Sequence, residues 1–300
     1  MLKIAYHPIY CHPLPEGHRF PMAKYELIPA QLLHEGVCSE ANFFAPPPVD
    51  ERWILGVHDK TYWHDLQHLS ISAKMARRIG FPVSEGLIKR EVIIAQGTIL
   101  GCQFALHHGV AMNVAGGTHH AYADRGEGFC LLNDVAIAAH FLLENKLAKR
   151  ILVIDLDVHQ GNGTAVIFKN ESRVFTFSMH GKDNYPLFKE ESDLDIALAT
   201  GTTDAGFLKP LEATLQHLVQ RHKPDFAFYN AGVDILESDR LGKLSVSKNG
   251  CKQRDEMVFD ICQRHTIPVM VLMGGGYSPR LSDIVDAHCE TFKAANNAYF

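Results

Sequence analysis

No two of the seven cysteines, at positions 11, 38, 102, 130, 251, 262 and 289, form a Cys-x-x-Cys pair, and their number is odd. That argues against a disulfide framework and against a cysteine zinc knot, and leaves reduced, mostly buried thiols. Long Lys/Arg runs are also missing from a chain of formal net charge −5, so nothing in it calls for direct nucleic-acid binding. The N-terminal stretch MLKIAYHPIYCHPLP has no uninterrupted apolar segment of the signal-peptide kind, and no segment approaches the length of a membrane span. A cytoplasmic protein is the expectation. Ser/Gly-rich linkers, internal repeats and low-complexity runs are absent, and the densest proline cluster, Pro46-Pro47-Pro48, reads as an early loop. A single domain over residues 1–300 follows, with its oligomeric state left open.

What is present is ordinary globular composition, 46% hydrophobic and 21% charged, with length enough to bury a large core. Apolar, β-rich runs alternate with helical patterns. Val110 to Val114 precedes Leu132 to Leu147, Ile151 to Asp155 precedes Thr164 to Lys169, and Val174 to Ser178 precedes Phe207 to His222. Asp225 to Tyr229 then leads to a helix near Lys248 to His265, and Val269 to Met273 to one near Ser278 to Ala295. This alternation predicts an α/β fold, with a central parallel sheet and helices on both faces. Sheets of that kind bind their ligands beyond the carboxyl ends of the strands.

Four polar clusters fall at such ends: AGGTHHAYADRGEGFC after Val114, DLDVHQGNG after Ile154, NAGVDILESDRLG after Tyr229 and GGGYSPR after Met273. Singly, each reads as an ordinary turn. Gly274-Gly275-Gly276 lacks the spacing of a dinucleotide or phosphate loop, and His119-His120 alone would pass for a surface pair. Their convergence is what points to chemistry. Asp155, Asp157 and His159 stand two residues apart, so continued extension would aim all three to one side. Asp157, His159 and Asp234 form an oxygen-rich triad that holds a divalent metal and leaves positions open, as a catalytic site requires. Zinc fits best, with iron(II), cobalt or manganese as harder alternatives.

Such a metal polarises a carbonyl and acidifies water, which suits amide hydrolysis. His119 and His120 supply a general base and a general acid, Asp155 is the natural partner of one imidazole, and the Tyr277 phenol can donate to an oxyanion. The three glycines before Tyr277, Gly275 in their middle, let backbone come close to a substrate.

These pieces, GGTHHAYADRGEGFCLLND, DLDVHQGNGT, YNAGVDILESDRLGKLSVS and GGGYSPR, in this order over nearly the whole chain, resemble the histone deacetylase family of zinc amide hydrolases with the arginase/deacetylase fold. DVHQGNG and YNAGVDILESDRLG are most similar to class IV, which has bacterial members. The resemblance implies an acyl-lysine of a protein or peptide as substrate. It implies Asp157, His159 and Asp234 as zinc ligands, His119 and His120 as the histidine dyad, Asp155 behind the first, and Tyr277 as oxyanion donor. It also implies Gly128 and Phe129 as tunnel wall, and a structural potassium ion held largely by backbone oxygens around Asp155, Asp157, His159, Ser178 and Met179.

Two departures stand out. Asn162 replaces the aspartate that better-known members place behind the second histidine, which makes His120 less basic. The rim aspartate of those members has no counterpart near RRIGFPVSEG, where Phe81 stands. The resemblance to class IV, whose members are associated with fatty deacylation, together with the apolar residues Phe129, Tyr185, Pro186, Leu187 and Phe188, raises the expectation that long fatty-acyl groups are removed better than acetyl. Rival readings are a polyamine-type deacylase with an acidic rim from Glu127, Glu190, Glu191 and Asp193, a binuclear manganese hydrolase of the arginase type, and a non-catalytic acyl-lysine binding protein.

Overall fold

A computed structural model describes residues 1–300. Its centre is one sheet of eight strands: β1 (Lys3–Ala5), β2 (Phe43–Phe44), β3 (Val110–Asn113), β4 (Ile151–Asp155), β5 (Val174–Gly181), β6 (Leu194–Leu198), β7 (Phe226–Asn230) and β8 (Val269–Leu272). The order is β2-β1-β3-β8-β7-β4-β5-β6, and every neighbouring pair is parallel. Parallel strands need crossovers, and the crossover helices cover both faces. Every residue of β3, β4, β7 and β8 is buried, which is why these runs are continuously apolar instead of alternating.

Ten α-helices surround the sheet: α1 (Lys24–His34), α2 (Glu51–Leu55), α3 (Lys60–Gln67), α4 (Ala73–Ile79), α5 (Glu85–His108), α6 (Asp134–Glu144), α7 (Asn162–Phe168), α8 (Asp204–His222), α9 (Lys248–Arg264) and α10 (Leu281–Tyr299). Side-chain caps set several of their starts. Ser84 accepts from Leu87 N at 3.2 Å, Asn133 from Ala136 N at 3.0 Å and Ser247 from Gly250 N at 3.0 Å. None of the helices is long and apolar enough to cross a membrane. All seven cysteines are free, five of them buried.

The five strands expected from the sequence are present, four of them within a residue at each end and β5 three residues longer than expected, and three more lie at or next to the sheet edges. β1 and β2 have three and two residues, too few for periodicity to register, and β6 is largely half-buried. α5 was hidden for a different reason. Thirteen of its 24 residues are buried, including Gly97 and Gly101, so it shows no single polar face to mark it as a surface helix.

Two features of this sheet place the chemistry. The strands β3, β8, β7 and β4 are consecutive neighbours, so the four polar clusters leave the sheet side by side although 160 residues separate the first from the last. Strand β4 also stops at Asp155, and residues 156–161 are irregular. The strand thus ends where the sequence placed its end, extension does not continue to His159, and Asp155 faces a different partner from Asp157.

Candidate active site

Asp157 and His159 follow β4, Asp234 follows β7, and all three are buried with candidate ligand atoms within 4.8 Å of one another. His159 Nδ1 lies 3.1 Å from Asp157 Oδ1 and 3.1 Å from Asp234 Oδ2. The outer lone pairs of both carboxylates are taken by main chain: Asp157 Oδ2 accepts from Gly275 N at 2.7 Å, and Asp234 Oδ1 from Val158 N at 2.9 Å. Gly275 has to be glycine, because a Cβ there would stand 1.9 Å from Asp234 Oδ2. It was expected against substrate; it lines the inner end of the cavity and spends its N–H on a carboxylate.

The electrostatics fit a cation. Burial and the neighbouring Asp157 charge push the Asp234 carboxyl up to about 7, while the charged histidines hold Asp157 well below the usual range despite its burial. Burial alone would lower His159, yet the two carboxylates outweigh it and push the imidazole up to about 10. One proton thus stands in for a positive charge among two carboxylates and an imidazole, a donor set suited to a divalent ion with open positions.

The histidine pair sits on the loop after β3, pinned by Asp134, which accepts from Thr118 N at 2.9 Å, from Thr118 Oγ1 at 2.7 Å and from Thr98 Oγ1 at 2.7 Å. His119 Nδ1 donates to Asp155 Oδ2 at 2.7 Å. Burial disfavours its charge, but Asp155 and Asp157 prevail and push it up to about 9. His120 is the opposite case: burial and the charges of His119 and His159 hold it well below its ordinary value. Its Nδ1 lies 2.6 Å from Asn162 Oδ1, and the Asn162 amide is oriented by Nδ2 donating to Glu127 Oε1 at 3.2 Å and Tyr122 Oη at 2.9 Å. A carboxylate only accepts, so the amide presents its oxygen to His120, Nδ1 carries the proton, and Nε2 keeps its lone pair. The two imidazoles, 4.1 Å apart between centroids, are therefore set in different protonation states.

Three supporting residues were given no role from the sequence: Arg254 and Lys24 lie outside every quoted cluster, and Asn230 lies inside one. Arg254 of α9, 0% exposed, reaches the carbonyls of Gly232, Ala231 and Leu156 and is paired with Asp255 at 2.8 Å. One guanidinium thus ties the loops that carry Asp157 and Asp234. Lys24 of α1, also 0% exposed, donates from Nζ to Gly274 O at 3.0 Å, and burial lowers it to about 8. Asn230 donates to Asp155 Oδ1 at 3.1 Å, and its own Oδ1 is buried without a partner. All three act on backbone or on carboxylates brought from far along the chain.

Above the triad opens a cavity of about 290 Å³ lined by Phe129, Tyr185, Leu187, Leu241 and Tyr277 with Gly128, His120 and His159. Gly128 and Phe129 both have positive φ, and their N–H groups donate to Arg78 O at 3.1 Å and Ile79 O at 2.7 Å. Left-handed phenylalanine costs about 1–3 kcal/mol, and the clamp onto the end of α4 offsets it. Tyr277 lies 6.2 Å from the His159 ring and 6.0 Å from Phe129, with its N–H donating to Asp239 Oδ2 at 2.6 Å. Below the dyad a second cavity of only about 40 Å³ continues between Ile94, Gly116, Gly117, Thr118 and Cys130.

Several rim expectations change. Phe81 is buried and packs 5.1 Å from the Phe129 ring, so it props the wall from behind. Phe188 does not line the cavity and is 92% exposed. The charged side chains at the mouth are Arg19, Arg78, Lys243 and one acid, Asp183. None of the four acids expected at the rim lines the cavity: Glu127 is turned inward to Asn162 and pairs with Arg78 at 3.5 Å, Glu190 accepts from Tyr122 Oη at 3.1 Å, and Asp193 accepts from Thr176 Oγ1 at 2.9 Å. Ser178 is in register with Asp155 and lies with Met179 inside β5, where Ser178 Oγ contacts His180 Nδ1 at 3.0 Å.

The histone deacetylase domain model matches residues 18–292. An uncharacterized protein of Picosynechococcus sp. is 44% identical over 99% of both chains. Histone deacetylase 2 of Arabidopsis thaliana is 32% identical over 87% of this chain and 70% of its own. Among solved structures, a crystal structure of an HDAC homologue complexed with SAHA superposes with a TM-score of 0.85 at 25% identity, covering 99% of this chain and 84% of that one.

Two substitutions test the supporting contacts. Asn162→Asp places a negative charge against His120 Nδ1 and should raise that imidazole's pKa, moving the acidic limb of the pH–rate profile upward. Unmoved limbs would separate His120 from position 162. Arg254→Met leaves Asp255 and three carbonyls buried without their cation, and should cost about 3–5 kcal/mol in chemical denaturation. Arg254→Lys keeps the charge but not the fork, and should recover only part of that loss.

Proposed function

The chain belongs to the histone deacetylase family, and from that premise we propose that it is a divalent-metal hydrolase, zinc by preference, that removes acetyl groups from lysine side chains of proteins or peptides. The observation that carries this is the buried Asp157–His159–Asp234 cluster, set beside a histidine pair in two protonation states at the foot of a cavity walled in part by Phe129, Tyr185, Leu187, Leu241 and Tyr277. Asp157, His159 and Asp234 would hold the cation, which supplies the charge that polarises an acyl carbonyl and acidifies water.

The chain's own groups do the rest. Phe129 and Tyr185 flank the aliphatic stem of the lysine, which contributes hydrophobic burial and orients the amide. His120 Nε2, bare and held by the Nδ1 contact to Asn162, takes a proton from the attacking water as its oxygen bonds to the acyl carbon. Tyr277 donates to the carbonyl oxygen as negative charge builds there. His119, charged beside Asp155, gives its proton to the lysine nitrogen as the C–N bond breaks, leaving acetate and a free amine. Its high proton affinity suits an acid, and the low one of His120 suits a base at neutral pH.

The acyl group lies beyond the dyad, where the inner cavity of about 40 Å³ takes an acetyl methyl and little more. That geometry favours acetyl over the long fatty chains considered from sequence, because added methylenes would have to displace Ile94, Cys130 or the glycine backbone. A cationic polyamine is also disfavoured, since three of the four charged side chains at the mouth are basic.

A chain-length series on one peptide, below its aggregation threshold and with and without chelator, tests this. kcat/KM should fall steadily from acetyl through octanoyl to myristoyl, and chelation should abolish turnover. A rise along the series would show an extended acyl pocket and overturn the acetyl preference. Turnover that survives chelation would overturn the metal mechanism.

A further inference from the structure

The loop between β5 and β6 carries the two most exposed large apolar side chains of the molecule, Leu187 at 86% and Phe188 at 92%. It is not a loose loop. Asn184 Nδ2 donates to Leu241 O at 2.7 Å, Lys189 Nζ to Asn184 O at 2.7 Å, and the Tyr185 hydroxyl to Glu127. Gln160 clasps Glu190 from both sides, Nε2 to Glu190 O at 2.7 Å and Glu190 N to Oε1 at 2.9 Å. Backbone fastened on both flanks thus holds two adjacent apolar side chains in water, where they contribute nothing to the core.

Their position says what covers them. Leu187 lines the cavity that Phe129 and Tyr277 also line, and Phe188 is the next residue outward. A peptide that inserts a lysine side chain into that cavity has to lay its own backbone across this edge, and the residue beside the lysine then meets Leu187 and Phe188. The remaining mouth, Arg19, Arg78 and Lys243 against Asp183, repels a basic neighbour. Arg19 is exposed and stands 4.9 Å over the Phe129 ring.

We propose that Leu187 and Phe188 form an apolar lip that docks a bulky apolar residue adjacent to the acetyl-lysine, so that the protein selects sites with a Leu- or Phe-like neighbour over Lys- or Arg-rich ones. The inference rests on the deacetylase reading above and names the substrate class of the same site. The lip acts on substrate capture, so its contribution falls on KM and leaves kcat alone. Half-burying a phenylalanine-sized group is worth about tenfold in kcat/KM.

The test uses acetyl-lysine peptides identical except for Phe, Ser or Lys beside the acetyl-lysine, together with a flankless acetyl-lysine amide, on the metal-loaded full chain. The wild type should prefer the Phe peptide to the Ser peptide by about tenfold in KM, and the Lys peptide should be poorest. Phe188→Ser should remove most of the Phe preference, Phe188→Leu should retain most of it, and both should turn over the flankless amide at the wild-type rate. A wild type without flank preference, or a Phe188→Ser that keeps it, overturns the lip and leaves the deacetylase reading standing. A Phe188→Ser that loses flanked and flankless substrates alike makes the loop part of the acyl site and also overturns it. Phe188-dependent sedimentation with phosphatidylcholine vesicles, in a protein without flank preference, would reassign the lip to a lipid surface. No turnover of any acetyl-lysine compound would overturn both readings together.

Discussion

The structure is organised around a surplus of buried negative charge. Asp155, Asp157 and Asp234 are gathered where β4 and β7 end, each at most 3% exposed, in surroundings where an unpaired carboxylate costs several kcal/mol. Every neighbour of consequence answers that surplus. His119 takes Asp155, Gly275 N–H takes Asp157, Val158 N–H takes Asp234, and Arg254 and Lys24 bring cations from α9 and α1 to the carbonyls of the same loops. What these contacts leave uncompensated lies between Asp157, His159 and Asp234, whose candidate ligand atoms lie within 4.8 Å of one another.

The sheet makes this concentration possible. Four neighbouring strands deliver their following loops to one edge, and parallel pairing keeps those loops on the same end of the sheet. Helices from both faces can then reach in beneath them: α9 with Arg254, α1 with Lys24, and α6 with Asp134 under the histidine loop. The dyad's asymmetry has the same origin. His119 is backed directly by a carboxylate, whereas His120 meets its carboxylate, Glu127, only through the Asn162 amide. With no carboxylate in direct contact, burial and the charges of His119 and His159 keep His120 neutral while His119 stays charged.

Much of this was legible in the sequence because the reactive residues are contiguous within four clusters and each cluster follows a strongly apolar strand. Ile151 to Asp155 announces its strand, and DVH announces its ligands. The pairing of His119 with Asp155 and of His120 with Asn162 also followed from matching motifs. Arg254 and Lys24 were illegible, because a charged residue on an unremarkable helix looks solvated until the fold buries it. The turn of the chain after Asp155, which gives Asp155 and Asp157 different partners, was illegible because a two-residue spacing does not say whether extension continues past the strand's end. The rim misled for a third reason: Glu127 and Asp193 look like surface acids in sequence but are consumed by Asn162 and Thr176, and Phe81 turns inward.

The central claim is that the proton shared among Asp157, His159 and Asp234 occupies the place of a divalent cation. With His159 held up to about 10 and Asp234 up to about 7, a cation entering at neutral pH has to expel protons. Calorimetric titration of metal-free protein with zinc, repeated in two buffers of different ionisation enthalpy, reads stoichiometry and proton release together. The account predicts one equivalent bound per chain with net release of at least about one proton near pH 7. Absence of saturable uptake, or uptake with no proton released, would contradict it.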